Sequence, residues 1–313
     1  MRGAAVLGLG AHRPALRQDN LAIAERTGSS DEWIRARSGI ATRGVAGDDE
    51  SVVDMAVSAG GKALAAAGLT GADVGLVLLA TCSMPGPLPG GSPEVASRLG
   101  ATGAGASDIG AGCAGFTYAL ALAADAVRAG SADAVLVVGS EKLLPMVDPD
   151  DRGTAFLFGD GAGAAVVGVA DVDTIGRVVW ANDGDQADRL VIEGSPLRLR
   201  MDGRGIYRWA TTSLPDLARR ACAAAGIEPA DLAAFVPHQA NLRITESVVK
   251  SLGLPPSVVV ARDVVDSGNT SAASVPLALT RLQEEGAVRS GDPVLLLGFG
   301  AGLTAAGCVV HCP

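Results

Sequence analysis

The chain has 313 residues, 48% of them apolar, which suffices for a packed core and argues against disorder. Asp and Glu outnumber Lys and Arg by 34 to 25, and a net charge of −9 argues against nucleic acid as the main partner. The 5 cysteines are an odd number with no C-x-x-C pair, which argues against a disulfide framework and a cysteine metal site.

The first ten residues are too short an apolar run for a secretory signal before His12 and Arg13, and read as a first strand. No run of 18 apolar residues follows, so no membrane span is expected, and the chain reads as a soluble, reduced, cytoplasmic protein. Residues 65–74, AAAGLTGADV, return as AAAGIEPADL at 223–232, an offset of 158. Each is followed by an apolar strand, 74–82 in one case and 232–240 in the other. The segment from Cys113 to Gly130 predicts a helix, followed by a strand ending at Gly139. The same offset leads to residues 269–288 and to a strand ending near Gly298. The order and spacing predict an internally duplicated α/β protein with halves near 1–167 and 168–313. Strands alternating with helices imply largely parallel sheets, and the wholly apolar runs at 76–80, 134–138 and 294–297 fit strands buried on both faces. Residues 84–93, with four prolines and three glycines, and the irregular stretch 183–206 read as loops or an edge hairpin beside a pocket.

Cys113 follows Gly110 and Gly112 at a predicted strand–helix junction. Glycines there allow a tight turn, and a thiol at a helix N-terminus has its pKa lowered, so Cys113 is the candidate nucleophile. Cys82, Cys222, Cys308 and Cys312 lack that context and read as packing residues. His238 stands at the end of a predicted strand beside Gln239 and Asn241, where α/β sheets gather ligand groups. Asn269 falls in half two near the place of Cys113 in half one. The glycine runs at 159–163 and 298–302 lack the third glycine of a dinucleotide fingerprint and precede strands, so a nucleotide fold is not expected.

At these residues the sequence resembles β-ketoacyl-acyl-carrier-protein synthase III, a thiolase-like condensing enzyme. The resemblance covers essentially the whole chain. It rests on Ser-Ser-Asp-Glu-Trp-Ile-Arg at 29–35, the Cys113 segment, Asp-Arg-Gly-Thr at 151–154, and Phe-Gly-Asp-Gly-Ala-Gly-Ala at 158–164. Pro-His-Gln-Ala-Asn-Leu-Arg-Ile at 237–244, Gly-Asn-Thr-Ser-Ala-Ala-Ser at 268–274, and Gly-Phe-Gly-Ala-Gly-Leu-Thr at 298–304 complete it. It implies a five-layered αβαβα fold with two mixed, mostly parallel sheets. It also implies a ping-pong reaction in which an acyl-CoA acylates Cys113 and the malonyl thioester of an acyl carrier protein then loses carbon dioxide and condenses with that acyl group. His238 and Asn269 would hold the enolate oxygen, and the backbone N–H groups of Cys113 and Ala301 would form the oxyanion hole. Trp33, Arg37, Arg152 and Asn241 would bind coenzyme A. Arg208, Arg243 and Lys250 would dock the carrier protein, and Leu88, from a partner subunit, and Phe158 would shape the acyl pocket. A homodimer with no cofactor and no metal is expected, priming fatty-acid or polyketide chains. Three rivals stand beside this reading. One is a thiolase-fold acyltransferase that moves an acyl group to a hydroxyl, an amine or a carrier protein without condensation. The others are a cysteine peptidase and a binding module with an inert thiol.

Overall fold

The computed structural model describes residues 2–313. The first half runs β1 (Gly3–His12), β2 (Leu16–Asp19), α1 (Leu21–Thr27), α2 (Asp31–Ser38), β3 (Thr42–Val45), α3 (Val52–Ala66), β4 (Leu76–Ala80), α4 (Ser92–Arg98), β5 (Gly105–Ile109), α5 (Gly115–Ala129), β6 (Ala134–Glu141) and β7 (Gly161–Ala170). The second runs β8 (Val179–Asn182), β9 (Leu190–Glu193), β10 (Arg198–Met201), α6 (Gly203–Ala224), β11 (Ala234–Pro237), α7 (Leu242–Leu252), β12 (Val259–Val260), α8 (Val264–Ser267), α9 (Ser274–Glu284), β13 (Pro293–Gly300) and β14 (Thr304–His311).

The two large sheets have the orders β1-β7-β6-β4-β5 and β8-β14-β13-β11-β12. Read from the same end, both run antiparallel, antiparallel, parallel, parallel. The duplication is therefore topological as well as sequential. The expectation of mostly parallel sheets needs correction: half of the pairings in each sheet are antiparallel, because β7 returns beside β6 and β14 beside β13 without an α-helical crossover, and β1 and β8 add antiparallel edges.

Strand parity assigns the layers. Val135 and Val137 of β6 face inward while Ala134, Leu136 and Val138 face outward, so each wholly apolar strand feeds two cores. α5 and α9 lie in the core shared by both sheets. α3 and α4 cover the outer face of the first sheet, and α6 and α7 that of the second. This is the five-layered αβαβα arrangement. The shared central core makes the halves one packed unit, and β7 runs to Ala170, so the junction lies after that residue rather than at 167/168. The repeated AAAG segments end α3 and α6 alike, with Gly68 and Gly226 at φ 67° and 74°. The stretch 183–206 contains the expected hairpin, β9–β10, but its last residues open α6.

The glycine run at 159–163 has a structural role. Buried Asp160 accepts the backbone N–H groups of Leu143 (2.8 Å), Ala46 (3.0 Å) and Leu144 (3.2 Å), tying three segments together. A smaller cluster built from α1, α2, residues 143–158 and Leu199 of β10 forms a cap. Its centre is the fully buried guanidinium of Arg43, which donates to Asn20 Oδ1 (2.6 Å), the Asp19 carbonyl (2.9 Å) and the Phe156 carbonyl (3.1 Å).

Candidate active site

A cavity of about 1020 Å³ opens between this cap and the second half. Cys113, His238 and Asn269 all line it. They come from three equivalent kinds of place: the turn after β5, the end of β11, and the turn before α9.

Cys113 sits in the 3-10 turn Gly112–Ala114 that leads into α5. Gly112 has φ 50°, the left-handed region, and no room: a Cβ there would lie 3.2 Å from the Ala301 Cβ. The turn packs on the end of β13, where a Cβ on Gly300 would come within 2.8 Å of the Cys113 nitrogen and Cβ. Those two glycines let the Cys113 turn and the 300–302 loop meet, placing Ala301 beside Gly112 and Gly300 beside Cys113. The thiol is buried. Burial pushes its pKa up to about 12, and Glu141 pushes the same way, while the Ser271 hydroxyl and its own backbone N–H pull it down. The expected lowering by a helix N-terminus is thus outweighed, because desolvation of the thiolate is the larger effect.

His238 is buried with its ring edge on Phe299, the ring centres 4.9 Å apart. Desolvation lowers its pKa to about 3, so the imidazole is neutral. Nδ1 lies 2.7 Å from the Ser274 hydroxyl, which also accepts the Gln239 N–H at 3.3 Å. The tautomer that gives the Ser274 O–H an acceptor has that O–H donating to Nδ1, which leaves the proton on Nε2. Asn269 is pinned at its backbone by Leu157 and Gly159. Its Oδ1 accepts the Ser271 N–H at 2.9 Å, so its NH₂ is the group free to donate. The site therefore offers two N–H donors and a thiol to one cavity.

Trp33, Arg37, Arg152, Asn241, Arg208, Arg243 and Phe158 also line it. The Arg152 and Arg37 guanidinium groups lie over the Trp33 ring, 4.9 and 5.2 Å from its centre. Asn241 is in addition the N-cap of α7, its side chain accepting the Ile244 N–H at 3.0 Å. Arg243 lies over the Tyr207 ring at 5.4 Å. Lys250, in the last turn of α7, and Leu88, 86% exposed, are not in the lining. Leu88 therefore does not shape its own chain's pocket.

Cys82 packs against the cap cluster as expected, and it also makes polar contacts. Its thiol lies 3.3 Å from buried Glu141 and 3.7 Å from Ser271 Oγ. Glu141, Ser271 and Ser274 were not among the sequence candidates. Cys82 and Glu141 follow or end strands, the position that had singled out His238.

A buried thiol at a strand–helix turn that shares one cavity with an imidazole and an amide, in a duplicated αβαβα scaffold, defines a thiolase-fold enzyme. Residues 107–184 match the domain described as 3-oxoacyl-[acyl-carrier-protein (ACP)] synthase III, and residues 222–312 match its C-terminal domain. The chain is 51% identical to β-ketoacyl-[acyl-carrier-protein] synthase III 4 of Streptomyces coelicolor, over 100% of this chain and 99% of that one. Among solved structures it is similar to a priming β-ketosynthase from a polyketide biosynthetic pathway, with TM-score 0.97 and 44% identity over 100% and 97% of the two chains. It is similar also to the 3-oxoacyl-(acyl carrier protein) synthase III of Pseudomonas aeruginosa, with TM-score 0.94 and 39% identity over 100% and 99%. The chain belongs to the β-ketoacyl-acyl-carrier-protein synthase III family.

Proposed function

We propose that this chain primes fatty-acid or polyketide synthesis by a two-stage acyl transfer and condensation. The Cys113 sulfur attacks the carbonyl of an acyl-CoA, an S–C bond forms, and coenzyme A leaves as the thiol with the proton that Cys113 gives up. The N–H groups of Cys113 and Ala301 face the oxyanion of that step. A malonyl thioester on an acyl carrier protein then enters. Its carboxylate leaves as carbon dioxide, and the electron pair of the broken C–C bond becomes an enolate whose oxygen accepts from His238 Nε2–H and the Asn269 NH₂. The enolate carbon attacks the acyl-cysteine and expels the thiolate, giving the β-ketoacyl carrier protein. Neutral His238 suits this role, since a donor that stays uncharged needs no counter-ion in a dry site. The chemistry asks for no resident cofactor or metal; acyl-CoA is a substrate. Trp33, Arg37, Arg152 and Asn241 are assigned to coenzyme A, and Arg208, Arg243 and Lys250 to the carrier protein.

The observation that carries the reading is the pairing of two free N–H donors with one thiol. Acyl transfer alone needs an oxyanion hole, whereas two side-chain donors facing the thiol suit a second thioester oxygen. We propose further that the active form is a homodimer. β5 is the outermost strand of its sheet, and Leu88 stands exposed on the loop that Asp108 of β5 holds through the Gly91 and Ser92 N–H groups, both at 2.8 Å. A second copy covering that edge would bring Leu88 to its partner's acyl pocket.

Intact mass after mixing with a panel of acyl-CoA thioesters tests the first stage and reads the starter. Carbon dioxide release from malonyl carrier protein tests the second. Alanine at His238 or Asn269 is expected to leave the acyl adduct in place and slow carbon dioxide release by roughly 10²–10³. Transfer of the acyl group to the carrier with no carbon dioxide released would replace the reading with simple acyltransfer.

A further inference from the structure

The duplication places equivalent turns on each other's sheets. Gly112–Ala114 of the first half sits on β13, and the 3-10 turn Ser271–Ala273 of the second sits on β6. Ser271 stands in the place of Gly112 and shares its conformation, φ 48° against 50°. It is the one non-glycine residue with positive φ among the described residues, a strained position for a serine. Under the first turn, the last residue of β13 is Gly300, whose bare face admits Cys113. The equivalent last residue of β6 is Glu141.

Glu141 is fully buried and has no basic partner among the described residues. Its neighbour Lys142 points elsewhere, to the Gly47 and Glu50 carbonyls at 2.6 and 2.8 Å. Donors surround the carboxylate instead. Ser83 Oγ–H lies at 2.5 Å, the Cys82 N–H at 3.1 Å, Thr81 Oγ1 at 3.2 Å and the Cys82 thiol at 3.3 Å, all from the loop after β4. From the other half comes the Ala272 N–H at 3.5 Å, and the Ser271 hydroxyl is close enough to favour the ionised form of the acid. The same hydroxyl lies 3.7 Å from the Cys82 thiol, and the Ser271 N–H donates to Asn269 Oδ1 at 2.9 Å. A buried acid without a counter-ion is costly. One that gathers donors from both halves makes a rigid joint between them.

We propose that Glu141 is a positioning residue for the condensation: its carboxylate clamps the Ser271–Ala273 turn onto the end of β4, which fixes the Asn269 amide in the cavity that Cys113 lines. The role assigned to Asn269 comes from the function proposed above; the clamp itself rests on geometry alone. It is an asymmetry of the duplicated fold. One half spends its strand end on a glycine that admits the nucleophile, and the other on an acid that holds the turn.

Glu141→Gln keeps shape and one carbonyl acceptor; Glu141→Leu removes both acceptors. On enzyme acylated beforehand, Leu is expected to slow carbon dioxide release by about 10²-fold, as a misplaced group does. Gln is expected to recover most of that, and acylation by acyl-CoA to change by less than tenfold in both. Equal slowing of both stages in either variant, or no change in either stage of the Leu variant, would overturn the clamp. The Asn269 side-chain amide signal in the ¹⁵N spectrum, assigned through Asn269→Asp, gives a second reading, and Glu141→Gln supplies it if the Leu variant does not fold. The clamp requires that signal to shift or broaden in Glu141→Gln, and an unmoved signal refutes it. Wild-type enzyme that acylates but releases no carbon dioxide would refute the proposed reaction, and the amide signal would still decide the clamp.

Discussion

Cys113 lies where two effects oppose each other. A turn leading into α5 offers N–H groups that favour a thiolate, while burial in the cavity wall disfavours it, and burial prevails. The protein therefore holds a thiol at neutral pH, and the attack on a thioester has to be coupled to loss of the proton. With a pKa pushed up to about 12, the thiolate fraction grows tenfold for each pH unit throughout the range below it. The rate of Cys113 alkylation by iodoacetamide is accordingly expected to rise about tenfold per unit from pH 7 to 10, read by intact mass against a Cys113→Ser control. A rate that levels off below pH 8 would show that the site lowers the pKa instead. His238 shows the same logic with the opposite sign. Desolvation removes its charge, and the Ser274 contact then selects which nitrogen presents the proton.

At the scale of elements, the site is made by two strand ends that leave room for two turns. Gly298 and Gly139 are equivalent positions on β13 and β6. A Cβ on Gly298 would lie 2.2 Å from Thr117 Oγ1, and one on Gly139 would lie 2.3 Å from the Ala272 carbonyl oxygen. Gly139→Ala is expected to lift the turn Ser271–Ala273 off β6, costing about 1–3 kcal/mol of stability, as overpacking does, in urea unfolding. Carbon dioxide release should fall more than acylation, since the Ser271 N–H of that turn holds the Asn269 amide. A variant as stable and active as the wild type would mean that the turn can move freely. Much of this was legible in advance. The 158-residue offset placed Asn269 near the position equivalent to Cys113, and three continuously apolar runs marked the strands buried on both faces. The sheet direction was less legible, because a continuous apolar run signals burial on both faces and not which way the neighbour runs. Glu141 and Ser271 escaped for a physical reason. An acid at the end of an apolar strand looks like a solvated terminus until a turn 130 residues further on in the sequence is seen to cover it. A serine carries no mark of a left-handed backbone. Only alignment of the two halves, which sets Ser271 on Gly112 and Glu141 on Gly300, would have pointed to them.

The whole molecule is acidic, yet the mouth of the cavity is basic. Arg37, Arg152, Arg204, Arg208 and Arg243 line it, with Asp202 the one acid among the lining residues. None of the five forms an ion pair among the described residues, whereas Arg98, Arg128, Arg200 and Arg281 elsewhere do. Unpaired cations at a rim cost little, because they stay hydrated, and they focus field lines toward an anionic visitor. On the proposed function, a net charge of −9 gives no long-range attraction to a carrier protein of like sign, and the local patch would supply it. Such rim charges act mainly on association rate and its salt dependence, and each exposed pair is worth about a kcal/mol or less. Arg243 lines the cavity and lies over Tyr207, so a change there disturbs more than docking. Lys250 stands outside the lining, seven residues further along α7, and gives the cleaner test. Lys250→Glu is expected to raise the KM for malonyl carrier protein about two- to fivefold at low salt. It should flatten the dependence of that KM on salt and leave the rate of acylation by acyl-CoA unchanged. Carrier kinetics that match the wild type across the salt series would move the docking surface off α7 and onto the arginines at 198–208.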